Sequence, residues 1–370
     1  VTEDIRPESQ EMRERSAARA RRISRRDALA VTAGALPYVW IPGAAALQQV
    51  VVRTSGGGYD EARKAAVYDA FRKETGIQVV LVAANATKLL ALAKTGGGGI
   101  DVIDTDSDTL IQIDRAGGLE SIDYAGFKYT DINDLPATVR QARYVGHSYF
   151  ATILGYNTKA YAAGKEPRSW AEFWDIKRYP GPRALPSAAI GEPTLEFALL
   201  ADGVPMDKLY PLDLPRAFRK LGAIRSTIAT FWETGALSAQ LLSDNEAGLA
   251  AIWNTRLYEA KAKGAPVGAQ WNQNQAGLVA FGISKGTKNR DAAQRFVDFS
   301  LSGATQLRWM QSHAAIPANR KALPAVAREL VDPATGQLLV QSKGFMRDVG
   351  WWADNKKRVS DYWAQWILEK

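Results

Sequence analysis

Apolar spacing along the chain switches repeatedly between a period near two and one near 3.6, and the switches mark out elements. "VVVRTS", from Val50, is an apolar run of strand length. From Tyr59 to Thr75, Ala62, Ala66, Ala70 and Phe71 fall on one face, which predicts a helix ending at Gly76. "IQVVLVAA" reads as a second buried strand, and "TKLLALAKT" as a helix broken by Gly96 to Gly99. "IDVID", Ile100 to Asp104, is a third strand, and the polar "TDSDT" after it opens a helix that stops at Gly117-Gly118. Strand and helix alternate, with polar or glycine-rich turns at the strand C-termini. That is α/β layering, and ligands in such sheets sit outside those carboxyl ends.

From "SYFATILGYNTKAY" onward an apolar strand leads into the Trp-, Pro- and Gly-rich "SWAEFWDIKRYPGPRALPS". The pattern then predicts a helix at "TLEFALLADG", a long helix around "PRAFRKLGAIRSTIATF" and a strand at "GLAAIWN". A helix at "TRLYEAKAKG", a strand at "PVGAQWNQN", the apolar run "AGLVAFGIS" and the amphipathic "NRDAAQRFVDFSLS" follow. Ala151–Tyr156 and Gly277–Ile283 read as strands passing between two lobes. Residues 50–150 with 278–340 would build lobe one, and 151–277 with 341–370 lobe two. Trp351, Trp352, Trp363 and Trp366 would pack a C-terminal helix onto lobe two.

Composition narrows the chemistry. The 370 residues contain no cysteine, so disulfides, thiolate metal sites and cysteine nucleophiles are excluded. Two histidines, His147 and His313, leave almost nothing for histidine-based metal or triad chemistry. No cofactor or metal is expected. Residues 1–46 are read as an export signal of the twin-arginine kind. Arg25-Arg26 follow Ser24, a moderately apolar run extends from Ala28 to Ile41, and Ala44-Ala45-Ala46 suits cleavage. Asp27 and Ala28 stand where a bulky apolar residue is more usual in such signals. These residues carry eight arginines and six acids, so the formal charge of +8 drops to +6 without them. That excess is scattered rather than interleaved with aromatics, which argues against nucleic acid as a partner.

Several stretches together resemble the periplasmic solute-binding proteins of ABC importers, in the spermidine/putrescine-binding branch. They are "TSGGGYDEARKAAVYDAFRKETGIQVV", "DVIDTDSDTLIQIDRAGGLESID", "LGYNTKAY", "SWAEFWDIKRYPG", "GLAAIWNTR", "FGISKGTKNRDAAQRFVDF" and "AAIPANRKAL". The resemblance covers essentially the whole chain after the signal. It implies two α/β lobes joined by crossing strands and closing over a ligand. It also implies a periplasmic location, a small-molecule solute and an ABC permease in the inner membrane as partners, and a monomer. Polyamine binders of this branch place an aromatic residue and, two residues on, an acid where this chain has Gly277 and Val279. They usually place Trp where this chain has Ser55.

The candidate ligand-binding residues follow. Ser55, Gly56, Gly57 and Gly58 offer a turn of bare backbone N–H groups for an anionic end, covered by Tyr59. Asp106 and Ser107 stand at the end of the third strand, where both also suit helix capping. Trp253 would form a ring wall, and Arg256, at a helix start, a carboxylate anchor. Glu192 occupies the region where polyamine binders put second-lobe acids, and Asn272 belongs to a polar loop near the cleft. The glycine turn and Arg256 favour an anionic or zwitterionic amino-acid-like solute. The family resemblance keeps a polyamine as the alternative. For catalysis there is no G-x-S-x-G elbow, H-E-x-x-H or Walker motif, so the expectation is a binding protein. An exported carbohydrate-active enzyme, with a carboxylate pair among the 39 acids, is the rival of a different class.

Overall fold

The computed structural model describes residues 48–368 apart from 55, 57, 94–96, 163, 189–191, 193 and 311–314. The expected export segment, Ser55, Gly57 and His313 therefore lie outside the described residues. Strand β1 (Gln49–Thr54) leads into helix α1, which runs Gly58–Arg63, widens over Lys64–Asp69 and resumes as Ala70–Thr75. Gly76 ends it with φ of 73°, a conformation glycine adopts without a Cβ penalty. Then come β2 (Gln78–Ala83), α2 (Ala86–Ala93), β3 (Val102–Asp106) and α3 (Ser107–Arg115). Parallel pairing of β2, β1 and β3 makes one half of the sheet, as the alternating pattern predicts.

The second half is built by β4 (Tyr144–Asn157), α4 (Trp170–Trp174), β5 (Arg183–Pro186), α5 (Thr194–Ala201) and α6 (Leu214–Gly222). It continues with β6 (Ile228–Trp232), α7 (Gly235–Ser243), β7 (Leu249–Trp253), α8 (Asn254–Ala262) and β8 (Val267–Ile283). The chain then returns through α9 (Arg290–Leu301), α10 (Gly303–Met310) and β9 (Ile316–Pro317). It finishes with α11 (Leu339–Ser342), β10 (Gly344–Met346) and α12 (Val349–Leu368). The sheet order is β2-β1-β3-β8-β4-β7-β5-β6, with β9 on β4 and β10 on β8. Long β4 and β8, antiparallel to each other, join the two halves.

Two expectations are corrected. The long helix around "PRAFRKLGAIRSTIATF" stops at Gly222, and Ile228–Trp232 is strand β6, parallel to β5. Its β-branched and aromatic residues suit a strand beside a buried neighbour. Strand β5, which its buried "RALP" makes part of the sheet, was not expected at all. The two runs "PVGAQWNQN" and "AGLVAFGIS" form one strand, β8, of 17 residues. The pairing of β8 with β4 slips between Thr152↔Gln275 and Leu154↔Gln270. Gln273, at φ 60°, lies in the bulge that the slip creates.

One apolar cluster holds Val50, Phe71, Phe281 and Phe296 under the first half-sheet. A second gathers Trp170, Phe173, Phe197 and Phe218 with Trp352, Trp363 and Trp366 of α12. Half-buried Trp351 packs against this second cluster.

Candidate functional site

Strand register locates the site. Asp106, at the carboxyl end of β3, lies opposite Val279, which lies opposite Ser148 of β4. Trp253, at the carboxyl end of β7, lies opposite Thr152, which lies opposite Gln275. Parallel strands of both halves therefore end facing each other. They are separated by the four residue steps of β4 from Ser148 to Thr152, about 13 Å of strand. A cavity of about 370 Å³ occupies this gap. Tyr149, Phe150, Gly277, Leu278 and Val279 floor it, so the two positions where polyamine binders carry an aromatic and an acid do face the ligand space.

Arg53 and Asp106 line the first wall, and sequence reasoning missed Arg53. Arg53 is buried, its Nε donating to Ala84 O at 2.7 Å and its Nη1 to Asp104 O at 2.6 Å. Nη2 donates to no described protein group, so a fixed guanidinium turns one unspent edge toward the cavity. The signal was present: a lone arginine closing an apolar strand just before a glycine turn. Asp106 caps α3, accepting from Thr109 N at 2.8 Å and from Thr109 Oγ1 at 2.9 Å. It therefore has both roles that its sequence position suggests.

Tyr59 lines the cavity but turns its hydroxyl behind the wall. That hydroxyl donates to Asp104 at 2.9 Å and accepts from Arg63 at 2.9 Å, and its ring meets Trp309 edge-on at 5.9 Å. Asp104 also pairs with His147 Nε2 at 2.9 Å and with Arg63 at 3.5 Å, all within the protein interior. Burial alone would push the Asp104 carboxyl up, but His147, Arg63 and their hydrogen bonds outweigh it and hold it below the usual range. Burial lowers the His147 pKa despite Asp104. Its Nε2 faces the Asp104 carboxylate, and its buried Nδ1 has no described hydrogen-bond partner.

The second wall carries Glu192, Trp253 and Arg256. Glu192 Oε2 accepts from Trp253 Nε1 at 3.1 Å and from Thr152 Oγ1 at 3.5 Å, while Oε1 has no described protein partner. Burial raises its pKa to about 7. Arg256 reaches the cavity but also pairs with Glu259 at 3.0 Å, one turn along α8.

Arg347, Trp352 and Lys356 bring the C-terminal segment to the cavity, which the sequence reading placed wholly in core packing. Arg347 pairs with Asp108 of α3 at 2.9 Å. Burial raises Asp108 to about 6, and raises Glu196 as well. Glu196, the lone charge in the apolar "TLEFALLA", accepts from Trp352 Nε1 and Tyr210 at 2.7 Å each.

The remaining candidates fall elsewhere. Ser107 is buried in the first turn of α3, and its neighbour Asp108 takes the cavity position. Asn272 is corrected: it sits exposed in the β8 bulge, donating to Arg168 O at 3.0 Å, and lines a separate surface groove. Gly56 has φ of 76° and open space beside it, and it is not among the cavity-lining residues. No group of three or more His, Asp or Glu suited to a metal occurs among the described residues.

The bacterial extracellular solute-binding protein description matches residues 66–332, and the chain belongs to that family. It is a substrate-binding component of the kind that delivers small molecules to an ABC permease. The gamma-aminobutyric acid-binding protein of Pseudomonas aeruginosa is 28% identical over 86% of this chain and 91% of its own length. The spermidine/putrescine-binding periplasmic protein of Escherichia coli is 23% identical over 62% of this chain and 67% of its own. A solved GABA receptor structure superposes with a TM-score of 0.76 at 31% identity, covering 87% of this chain and 98% of that one. The fold is thus the two-lobed one of periplasmic binding proteins, and these relatives bind solutes rather than transform them. No helix of the described residues is long and apolar enough to cross a membrane.

Proposed function

We propose that the chain captures a short zwitterionic amino acid, of the γ-aminobutyrate type, in the periplasm and presents it to an ABC permease without altering it. One observation carries this reading: opposite charges face each other across the cavity. The unspent edge of Arg53 offers a carboxylate a charge-assisted hydrogen bond from the first wall. Glu192 of the second wall, whose Oε1 has no described protein partner, offers the far end a negative charge. Phe150, Trp253 and Leu278 cover a short methylene stem between them.

A polyamine would leave Arg53 facing a cation, or its charge unpaired. GABA and its shorter and longer homologues, with putrescine and spermidine beside them, should be titrated calorimetrically. GABA-sized zwitterions should bind most tightly and, at a hundredfold their Kd, add about 2.7 kcal/mol of stability. Tighter binding of putrescine than of any amino acid would sink the reading, as would a turnover product after incubation.

The same reading takes residues 50–150 with 278–340 as one lobe and 151–277 with 341–370 as the other, in a monomer. Small-angle scattering should show compaction by hinge closure on saturation. It also takes residues 1–46 as an export signal. Replacing Arg25 and Arg26 by lysine should then leave unprocessed protein in the cytoplasm.

A further inference from the structure

Contacts across the cleft converge on the segment that follows β10. Arg347 pairs with Asp108 Oδ2 at 2.9 Å, and Asp108 belongs to α3 of the first half-sheet. Its guanidinium lies 4.5 Å over the Trp352 ring, whose Nε1 donates to Glu196 of α5 in the second half. Further along α12, Asp354 meets Arg115 of α3 at 2.6 Å. The far end of α12 is rooted in the second half, where Trp363 and Trp366 pack on Phe218 and Phe231. Arg225 donates there to the carbonyls of Trp366 and Ile367 at 2.7 Å each. The helix thus reaches from one half across the cleft to the other.

The two ion pairs to α3 are not equal. Arg115 and Asp354 have side chains 49% and 65% exposed, and such pairs contribute little. Arg347 and Asp108 are 15% and 17% exposed and line the cavity, so their attraction is weakly screened.

We propose that Arg347 is a positioning and specificity-determining residue. It is a built-in cation that draws Asp108 from one half and Glu192 and Glu196 from the other around one point, clasping the cleft while leaving negative charge for a ligand ammonium. This rests on the ligand carrying an ammonium group. The charged and titratable groups around the Arg347–Asp108 pair include Asp106, Tyr144, Glu192, Glu196, Tyr210 and Lys356. Without Arg347 the acids would have to protonate or repel one another, and the ammonium would lose its anionic partners. A lysine there keeps the charge but not the planar guanidinium that pairs with Asp108 while lying over the Trp352 ring.

The test uses Arg347→Met and Arg347→Lys in the full chain, with GABA as probe, titrated calorimetrically from pH 5.5 to 8.5. Arg347→Met should weaken GABA at least about tenfold at pH 7.5. It should also move the pH at which affinity fades upward by about one unit, since an opposite charge at this range holds an acid down by that much or more. Arg347→Lys should weaken binding yet restore the wild-type pH profile. Equal weakening in both variants with an unmoved profile overturns the clasp and leaves Arg347 a packing residue. If Arg347→Met does not fold, Asp108→Asn serves, and wild-type GABA affinity in that variant overturns the proposal equally. If the wild-type protein prefers putrescine to GABA, the amino-acid reading fails. The profile shift is then read with putrescine and still decides the clasp.

Discussion

The protein holds two clusters of charge, one behind the first wall of the cleft and one across its mouth, and they are built on opposite plans. Around Asp104, a single carboxylate meets Arg63, the Tyr59 hydroxyl and His147, and His147 stacks on Phe281 at 4.2 Å. Positive charge and donors suffice there, and the acid is held below its usual range. Arg347 pairs with Asp108 and attracts Glu192 and Glu196 through space, and all three acids are raised, chiefly by burial. A balanced buried cluster fixes a wall. An unbalanced one beside a cavity is where a missing partner of opposite sign belongs.

Their proton linkages have opposite signs. In the first cluster the folded chain binds protons more weakly than the unfolded one, so its contribution to stability is lost as pH falls. In the second the folded acids bind protons more tightly. Their contribution is fullest below the ordinary carboxylate range and is lost as pH rises through about 6 for Asp108 and about 7 for Glu192.

Breaking the balanced cluster should have the largest effect. Asp104→Ala strands His147 and Arg63 without their anion, a change that costs about 3–5 kcal/mol where buried pairs lose one partner. Urea unfolding measures it, and a loss below 1 kcal/mol would show that the cluster is not what holds the wall. The next effect is on affinity. Arg53→Gln should weaken GABA binding roughly 10- to 150-fold, the equivalent of one charge-assisted hydrogen bond of about 1.5–3 kcal/mol. Unchanged affinity in calorimetry would remove Arg53 from the site.

The unbalanced cluster responds to pH. Ammonium binding needs the Glu192 carboxylate, so GABA affinity should rise as pH climbs through about 7. In Glu192→Gln that rise should flatten. The unliganded variant should also melt higher than wild type at pH 8 and no higher at pH 4, because glutamine carries no buried charge to penalise. A variant that keeps the wild-type slope would assign the titration to Asp108 instead.

Much of this architecture was legible because layering follows local periodicity. The alternation from Val50 to Gly118 gave the β1–β3 half, and Trp253 followed from a strand ending in an aromatic residue before a helix. What was not legible depends on contacts between distant segments. Arg347 looks like any basic residue in "GFMRDVGWW" until β10 pairs with β8 and carries it beside Asp108, 239 positions away. Asn272 misled for the converse reason. A polar residue between two apolar runs looks like a loop near a cleft, but the strand continues through it and the bulge turns it outward. Strand β6 was lost to a helical reading because the apolar spacing of α6 carries on past Gly222.

The smallest predicted effect concerns the floor between the two walls. Gly277 lies opposite Phe150, and a Cβ there would stand 2.3 Å from the ring carbon Cζ. The bare backbone lets the ring lie across the strand, where its centroid is 6.5 Å from Trp253 at an interplanar angle of 77°. Phe150 thereby fills from β4 the space above a position where polyamine binders carry their own aromatic residue. Gly277→Ala must displace the ring, and because the clash is with a side chain rather than with backbone, the fold should tolerate it. Affinity for GABA should change by less than about tenfold, at the low end of the roughly 1–3 kcal/mol that one methylene in a pocket is worth. The informative quantity is selectivity. If the ring sets the span between Arg53 and Glu192, the ratio of affinities for GABA and its one-carbon-longer homologue should shift by at least about threefold. A constant ratio would mean that the charged walls alone choose the ligand's length, and that Phe150 merely covers the floor.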